Sequence, residues 1–313
     1  MRVAVVGAGA VGGYFGGRLA RTHNNVTFIA RGETVAAMRR DGLRVDSIAG
    51  DFLVKPAEAY ADPAEAGAVD VVLVAVKAWQ VSDLAPTLRP LLHSMTVVVP
   101  LQNGVEAADQ LAAALGSEHV APGVCHIVAT LIAPAHVRHA GLEPRIAFGE
   151  RDDRPSERLE RLLRAFIEAG VTAHMPANIA VAVWEKFLFI ASLAGIGAAT
   201  RVPAGALRSV PETRRLLEQA MAEVAEVARA RGVRLPGDAQ ARTMAFIDAL
   251  PEGATASMQR DIMGGRPSEL EATVGAVSRL GAQAGVPTPV NDLLYHILLP
   301  QELQARTDRD RSR

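Results

Sequence analysis

The feature that most constrains the fold of this chain is a cluster of glycines directly after a short apolar segment near its start. Residues 3–6 (VAVV) form a continuous apolar run, which is typical of a strand buried on both faces of a parallel sheet. The turn Gly7-Ala8-Gly9-Ala10-Val11-Gly12 comes next, and a helix is predicted to continue to about Arg21. A strand, a glycine turn and a helix in this order predict the first unit of a dinucleotide-binding sheet of the Rossmann type.

Each glycine of this turn has its own physical role in that interpretation. Gly7 permits the tight turn after the strand, Gly9 lets the backbone approach a pyrophosphate, and Gly12 allows the helix to pack closely on the sheet. The amide groups and the dipole at the start of the helix then stabilise the phosphate charge. Residues 7–12 are therefore the predicted cofactor-binding segment.

The first half of the chain alternates between strands and helices. Strands are predicted at 26–30, 69–76 and 96–99, with helical stretches between the last two and after Gly104. Short antiparallel strands between 120 and 148, a helix at 156–169 and a strand at 171–175 complete this half. The pattern predicts a doubly wound parallel sheet in an NADP-binding domain spanning residues 1–176.

Strand signals almost vanish after Pro176. Helices are predicted at 179–198, 211–231, 238–250, 268–284 and 289–303, with Pro or Gly between several of them, and the charged tail 307–313 is expected to be frayed. The predicted architecture is α/β followed by all-α. Residues 177–313 form the helical substrate and catalytic domain, and a cleft is expected between the two domains.

Composition excludes several classes of protein. The chain is 49% hydrophobic and 21% charged with a net charge of −1, which is ordinary for a soluble globular protein and lacks the basic excess of a nucleic-acid binder. The single cysteine, Cys125, excludes an intramolecular disulfide and fits a reducing cytoplasm. The apolar stretch 187–199 is shorter than the roughly 20 residues of a membrane span. We therefore expect a cytoplasmic protein with no membrane or nucleic-acid partner.

The end of the second strand distinguishes between NAD and NADP. An acidic residue at this point would bind the ribose 2′-hydroxyl of NAD. The sequence has Ala30-Arg31-Gly32 instead, with no carboxylate before Glu33. Because an arginine can form charge-assisted hydrogen bonds to a 2′-phosphate, NADP(H) is the predicted cofactor.

One lysine directly precedes the most apolar stretch of the chain. In VWEKFLFIASLAGIGAAT, residues 183–200, nothing ionisable follows Lys186 until Arg201. Lys186 could lay its stem on the core and its ammonium in water, or it could be a catalytic acid. The residues of this helix alone leave both interpretations open.

Five motifs, taken together, resemble the ketopantoate reductase family, the 2-dehydropantoate 2-reductases. They are GAGAVGGYFGG at 7–17, VKAWQ at 76–80, LQNG at 101–104, VWEK at 183–186, and SMQRD at 257–261 with RPSELE at 266–271. The resemblance covers nearly the whole chain. It implies NADPH-dependent reduction of a 2-oxo acid, most directly 2-dehydropantoate to pantoate in pantothenate biosynthesis.

The resemblance also implies roles for individual residues. Lys186 matches the family's general acid, which polarises and protonates the substrate ketone, and Glu269 matches its acidic partner. Ser257 matches a serine that holds the substrate carboxylate, while Asn103 and Lys77 match residues on the cofactor side. The reaction needs such groups, because hydride addition creates an alkoxide that a cationic acid stabilises and protonates.

Each of these residues also has a simpler explanation that the sequence leaves open. Arg31, which matches the family's 2′-phosphate contact, could be a solvated arginine, and Lys77 could be a surface lysine. Asn103 could be only a turn residue before glycine. Ser257 could be the N-cap of a helix, and Glu269 could be a carboxylate favoured by a helix dipole.

The sequence departs from the family pattern on one helix face. Better-known members carry asparagines one and two turns after the lysine, whereas this chain has Ile190 and Ala194. Ala254 likewise stands where the family often has a polar contact. Since a buried polar group without a partner costs about 1–3 kcal/mol, the substrate could be a different, more apolar ketone or 2-oxo acid. A non-catalytic NADP-binding sensor is the second alternative.

Other candidate residues indicate less. His126, His136 and His139 have no cluster of cysteines or carboxylates near them in the sequence, so no metal site is predicted. Cys125 is expected to be a small buried residue. The hydrophobic helices between 268 and 303 could supply a homodimer surface, although their pattern does not distinguish an interface from a core.

Overall fold

The computed structural model describes residues 1–311, and the chain forms two compact units. Unit 1 comprises residues 1–102 and 106–182, and unit 2 comprises residues 103–105 with the chain from residue 183 onward. Residues 103–105 therefore lie within the sequence of the first unit but pack with the second. The boundary predicted between residues 176 and 177 separates functions, whereas the two units are defined by their compactness, so that boundary stays a prediction.

Unit 1 contains two sheets built from ten strands among the described residues. The strands are β1 (Arg2–Val6), β2 (Asn25–Ile29), β3 (Leu43–Ser47), β4 (Phe52–Val54), β5 (Glu58–Tyr60), β6 (Val71–Val74), β7 (Val97–Pro100), β8 (Gly123–Ala133), β9 (His136–Phe148) and β10 (Thr172–His174).

The first sheet is entirely parallel, in the order β5-β2-β1-β6-β7. Val5 of the central strand pairs with Phe28 on one side and Leu73 on the other, and all three side chains are fully buried. The carboxyl ends of these strands meet at one edge of the sheet, so the residues that follow β1, β2 and β6 gather there.

Helices cover both faces of this sheet. They are α1 (Ala10–Ala20), α2 (Glu33–Asp41), α3 (Val81–Leu84), α4 (Ala107–Leu115) and α5 (Glu157–Glu168), with 3-10 segments at Pro63–Ala66, Ala78–Gln80, Ala85–Leu91 and Ser117–His119. Phe15 and Leu19 of α1 join the hydrophobic core on one face, and Leu88, Leu91 and Leu111 belong to the core on the other. The predicted doubly wound parallel sheet is confirmed.

The second sheet corrects the prediction of short strands between 120 and 148. β8 has 11 residues and β9 has 13; they pair antiparallel, and the sheet runs β10-β9-β3-β4. β9 changes its parallel partner along its length, from β3 at 136–139 to β10 at 145–147. Gly141 and Pro144 fall between these ladders, so they do not interrupt a strand as the sequence suggested.

Unit 2 is helical, as predicted. Its helices are α6 (Ile179–Thr200, in unit 2 from residue 183), α7 (Ala204–Ser209), α8 (Pro211–Ala230), α9 (Ala239–Ala249), α10 (Ser257–Met263), α11 (Val274–Ala284) and α12 (Pro289–Arg311). Leu188, Met221, Val224, Ile247 and Val277 are fully buried in its core.

The predicted helix over 268–284 is wrong in its first six residues, because α11 begins only at Val274. Residues 268–273 form successive turns instead. The Ser268 hydroxyl accepts from the Leu270 N–H at 3.2 Å and donates to Glu302 at 2.5 Å, and Thr273 has ψ −94°. A side chain that hydrogen-bonds its own backbone in this way competes with helix formation.

The predicted fraying of the tail is also wrong for residues 307–311, which continue α12. The helix stays attached beyond Leu303 because Ala305 is buried and Arg306 forms an ion pair with Glu302 at 2.7 Å. Residues 312 and 313 lie outside the described part of the chain.

Helix α6 is longer than the apolar stretch recognised in the sequence. It has 22 residues, and by length and composition alone it could cross a membrane, with a mean hydropathy of 1.8 in its most apolar window. The core helix of a soluble protein passes the same test, and 56% of that window is buried within the protein. All residues from 191 to 198 are buried.

Candidate active site

The glycine turn of unit 1 lies at the carboxyl end of β1. The Gly7 N–H donates to Ile29 O at 2.8 Å, so the turn is tied to the end of β2. Gly7 has φ +95°, and a Cβ there would lie 2.7 Å from the Val76 nitrogen at the end of β6. Only glycine fits a positive φ and so close an approach.

Gly9 and Gly12 differ in the space that surrounds them. A Cβ on Gly12 would lie 2.2 Å from Gly7 O, so this glycine brings α1 against the turn. A Cβ on Gly9 would meet nothing within 4 Å, so its exposed face is open. The first N–H groups of α1 lack intrahelical acceptors. The turn therefore has the open backbone and the amide donors that a pyrophosphate requires, and a dinucleotide fits it.

Arg31 lies in the loop after β2 and is exposed. Its guanidinium forms no hydrogen bond or ion pair with residues 1–311. Two other arginines nearby are engaged: Arg39 donates to Ala59 O at 2.7 Å, and Arg40 pairs with Asp41 at 2.8 Å. Arg31 is thus available to an anionic ligand.

The VKAWQ motif follows β6 at the same sheet edge. Lys77 is exposed, and its ammonium lies 5.7 Å from the ring centre of Trp79. The Lys77 N–H donates to Gln80 Oε1 at 3.2 Å, which fixes the short 3-10 turn after it. Lys77 is therefore held locally rather than extended freely into solvent.

The LQNG motif places successive residues in different units. Gln102 is 8% exposed, and its Nε2 donates to Val74 O at 2.9 Å and Val76 O at 3.1 Å, which closes the end of β6 in unit 1. Asn103 belongs to unit 2. The sequence analysis assigned no role to Gln102, although it stands within the motif.

Asn103 and Glu269 are brought together within unit 2. The Asn103 Nδ2 donates to Glu269 Oε2 at 3.0 Å, and Glu269 is only 6% exposed. The approach depends on Gly104, which has φ +101° and whose Cβ would lie 2.5 Å from Ala272 O. The remaining amide hydrogen and Oδ1 of Asn103 have no partner in residues 1–311. Asn103 is thus more than a turn residue.

Glu269 does not lie at a helix N-terminus, so that explanation of its carboxylate is wrong. It stands in the turns before α11, and its carbonyl accepts from the Thr273 N–H at 3.0 Å. Glu271 of the same motif is directed elsewhere, since it accepts from the Tyr295 hydroxyl at 2.6 Å. This hydrogen bond, assisted by partial burial, raises the pKa of Tyr295 to about 12.

Lys186 lies in α6 between two buried aromatic residues, Trp184 and Phe187. The lysine itself is partly buried. No residue from 1 to 311 accepts a hydrogen bond from its ammonium or forms an ion pair with it. Its neighbour Glu185 is already paired with Arg242 at 2.5 Å.

Ser257 is the first residue of α10, not its N-cap, so that alternative is wrong. The Gln259 side chain supplies the capping interaction by accepting from the Ala256 N–H at 3.3 Å, and it also donates to Val202 O at 2.9 Å. The Ser257 hydroxyl is exposed and makes no hydrogen bond within the described chain.

His136 and His139 contact other side chains, and the cysteine is buried. His139 is buried between Ser47 Oγ at 2.8 Å and Leu142 O at 2.9 Å, and His136 contacts Asp46 at 2.8 Å. Cys125 is buried. In residues 1–311 no group of three His, Cys, Asp or Glu side chains could hold a metal ion.

These features define a class of protein. Unit 1 has a parallel sheet with a glycine turn after its first strand, and the helical unit 2 carries a lysine and an asparagine–glutamate pair. This combination is typical of an oxidoreductase that uses a nicotinamide cofactor. Residues 3–153 match the family model described as ketopantoate reductase PanE/ApbA, and residues 178–302 match ketopantoate reductase PanE/ApbA C terminal. The chain belongs to the ketopantoate reductase family, oxidoreductases that act on ketone or CH–OH groups. The family expected from the five motifs is confirmed.

Similar proteins span almost the same length. The uncharacterized oxidoreductase YkpB of Bacillus subtilis is 30% identical over 94% of this chain and 97% of its own. The 2-dehydropantoate 2-reductase of Halobacterium salinarum is 32% identical over 93% of this chain and 95% of its own.

Solved structures agree in fold. A PanE/ApbA family ketopantoate reductase from Ralstonia eutropha JMP134 has a TM-score of 0.89 at 32% identity, covering 98% of this chain and 100% of its own. The 2-dehydropantoate 2-reductase of Geobacter metallireducens GS-15 also has a TM-score of 0.89 at 32% identity, covering 96% and 99%. D-mandelate dehydrogenase, solved with NADH and anilino(oxo)acetate, shares the fold at 24% identity with a TM-score of 0.89, covering 98% and 100%.

Proposed function

We propose that this protein is a cytoplasmic NADPH-dependent reductase that converts 2-dehydropantoate to pantoate, the reaction that serves pantothenate biosynthesis. The observation that carries the proposal is the Lys186 ammonium, which is partly buried on an apolar helix and has no partner in residues 1–311. An ammonium that no protein acceptor engages is available to donate a hydrogen bond to a ligand. A substrate carbonyl can accept that hydrogen bond.

The residues of unit 2 divide the work on the substrate. The bound nicotinamide supplies a hydride to the ketone carbon. Lys186 Nζ donates a hydrogen bond to the carbonyl oxygen, stabilises the alkoxide that develops there and then transfers a proton to it. The Glu269 carboxylate accepts one hydrogen bond from the Asn103 amide. This contact orients Asn103 so that its other amide hydrogen and its Oδ1 can bind the ligand. The Ser257 hydroxyl binds the substrate carboxylate.

The residues of unit 1 hold the cofactor. Residues 7–12 would receive its pyrophosphate, with Lys77 on the same sheet edge. Arg31 would bind the 2′-phosphate, since its guanidinium has no protein partner within residues 1–311. We therefore expect Arg31→Ala to lower kcat/KM for NADPH by at least about ten-fold and leave that for NADH unchanged. Arg40→Ala, an exposed arginine of α2, is the matched control.

The test of the reaction is NADPH oxidation followed by absorbance with 2-dehydropantoate and a panel of other 2-oxo acids. We expect Lys186→Ala to abolish turnover, with the dissociation constant of NADPH unchanged. Lys186→Arg keeps the charge but cannot release a proton, so it should also be inactive. Glu185→Gln, which removes a neighbouring ion pair, should retain activity. Full activity of Lys186→Ala contradicts the assignment, and tight NADPH binding without any turnover favours a sensor.

A second candidate substrate is a more apolar ketone or 2-oxo acid. Phe189 and Ile190 follow Lys186 by three and four residues, so they lie on its helix face, and both are only partly buried. Phe189 packs edge-to-face on Phe246 at 5.0 Å between ring centres. Faster turnover of aryl or branched 2-oxo acids than of 2-dehydropantoate supports this candidate. Ile190→Asn should then shift the preference toward the polar substrate.

A further inference from the structure

A buried carboxylate outside the proposed site contacts the residue next to Glu269. Glu302 lies in α12 and is 3% exposed. Its Oε2 accepts from the Ser268 hydroxyl at 2.5 Å and from the Ser268 N–H at 2.9 Å, while Oε1 accepts from Arg306 Nε at 2.7 Å. Both oxygens are thus satisfied, as a buried carboxylate requires.

The hydrogen bonds of Glu302 extend to the backbone on both sides of Glu269. Besides donating to Glu302, the Ser268 hydroxyl accepts from the Leu270 N–H at 3.2 Å, so it spans the residue between them. The Glu269 carbonyl accepts from the Ala272 N–H at 3.1 Å and the Thr273 N–H at 3.0 Å. Residues 268–273, which we name the Glu269 turn, are therefore fixed by hydrogen bonds rather than by a helix.

We propose that Glu302 is a positioning residue, which holds the Glu269 turn through Ser268 and so sets the Glu269 carboxylate against Asn103. The proposal rests on the role of Glu269 in the proposed function. Glu302 is almost fully buried and contacts Ser268 and Arg306, so its effect on Glu269 passes through this turn. Without these hydrogen bonds the turn would leave Glu269 several rotamers and backbone conformations. Such freedom would be costly, because a misplacement of about 1 Å at a reacting group lowers the rate by up to 100-fold.

Stability alone does not explain a charge at this position. A buried ion pair replaced by apolar residues of similar volume is often neutral or stabilising, so burial of Glu302 and Arg306 is weak evidence for a merely structural role. A carboxylate of α8 that also contacts α12 offers a comparison. Glu223 accepts from the Val290 and Asn291 N–H groups at 2.8 and 2.9 Å, which fixes the beginning of α12 with no candidate site residue beside it.

The experiment uses the full chain and compares Glu302→Ala with Glu223→Ala, each alone and combined with Glu269→Gln. Three quantities are measured: kcat and KM with the 2-oxo acid that the wild type reduces fastest, and the amide hydrogen exchange of residues 268–273. We expect Glu302→Ala to lower kcat by about ten- to 100-fold, with KM for NADPH unchanged. Glu302→Gln, which keeps one acceptor oxygen, should recover part of the loss.

The double variant separates positioning from general destabilisation. In the Glu269→Gln background we expect Glu302→Ala to change kcat less than about two-fold, because residues that act through one another are not additive. Exchange of the Glu269 turn should rise in Glu302→Ala and stay at the wild-type rate in Glu223→Ala. An additive loss, an equal loss in Glu223→Ala, or unchanged exchange in Glu302→Ala each overturns the proposal. If exchange rises in Glu302→Ala but the wild type turns over none of the 2-oxo acids, the positioning role is retained and the proposed reaction is refuted.

Discussion

Two glycines of the same turn should respond in opposite ways to the addition of one methyl group. Gly9 has φ −80° and open space around its Cβ position, so alanine is sterically allowed there. Gly12 is fully enclosed, with Gly7 O 2.2 Å from a built Cβ and the Ala75 and Val5 side chains at 3.1 Å. The pair Gly9→Ala and Gly12→Ala therefore separates a ligand-binding glycine from a packing glycine.

The magnitudes follow from these distances. In Gly9→Ala, the reduced freedom of the unfolded chain stabilises by about 0.4–1 kcal/mol, and the weaker N-cap costs roughly as much, so the free energy of unfolding should change by less than about 0.5 kcal/mol. In Gly12→Ala, backbone must shift by more than about 1 Å to reach an ordinary contact, and overpacking of this kind costs about 1–3 kcal/mol.

Binding should show the reverse order. The Gly9 methyl would occupy the side on which a pyrophosphate approaches, so we expect the dissociation constant of NADPH to rise at least about ten-fold, or 1.4 kcal/mol. The assay is titration calorimetry with NADPH, together with denaturant unfolding of both variants. Wild-type affinity in a stable Gly9→Ala protein would refute this placement of the cofactor. A large loss of stability in that variant would refute the steric argument.

Three further predictions concern charge and polar contacts. Burial opposes ionisation of Glu150, but hydrogen bonds from Arg158 and Ser156 and the charge of Arg158 together outweigh it and lower the pKa of Glu150. This stabilisation is therefore present above the unfolded-state pKa and is lost as pH falls through the folded-state pKa. Urea unfolding of Glu150→Gln should therefore show a loss of about 1–2 kcal/mol at pH 7 and a smaller loss in acid, and equal losses at the two pH values would contradict the argument. Gln102→Leu leaves Val76 O without a donor, while Val74 O keeps the Leu101 N–H at 2.9 Å, so the change should cost about 1 kcal/mol by the same measurement. Alkaline spectrophotometric titration should show one tyrosine transition with a pKa of about 12, and this transition should be absent from Tyr295→Phe, because Glu271 favours the neutral phenol. The stability that this pair contributes is present below pH 10 and lost as pH rises through 12.

The sequence predicted the elements whose hydrophobic pattern is local. Strands β1, β2, β6 and β7 are apolar runs that the sheet buries, and the long helices carry their apolar stripes. The strands β3, β4 and β5 were not predicted, and β3 and β5 show why. Leu43–Ser47 contains Arg44 and Asp46, and Glu58–Tyr60 is three residues long, so both depend on pairing with distant strands. Such pairing is a tertiary effect that a single sequence does not display.

The candidate site was predicted as a set of residues but not as an arrangement. The hydrogen bond between Asn103 and Glu269 joins residues 166 positions apart, and it requires residues 103–105 to pack with unit 2. The family resemblance implies a role for both residues, yet neither motif indicates their contact. Glu302 was missed for a related reason: nothing near it in the sequence distinguishes it from other charges of α12, and only its burial beside Ser268 reveals it.

The choice of lysine at position 186 is itself informative. Of the 33 lysines and arginines, only residues 55, 77 and 186 are lysines, so this chain meets most needs for positive charge with arginine. Arginine forms the surface ion pairs, including the one made by Glu185 beside Lys186. A guanidinium would suit a static anion site as well or better, but it does not release a proton in a protein. Under the proposed function, proton transfer accounts for a lysine rather than an arginine at this position, where the ammonium has no partner among residues 1–311. Lys186→Arg is therefore a more demanding test of the mechanism than Lys186→Ala, because it changes the acidity of the group and preserves its charge.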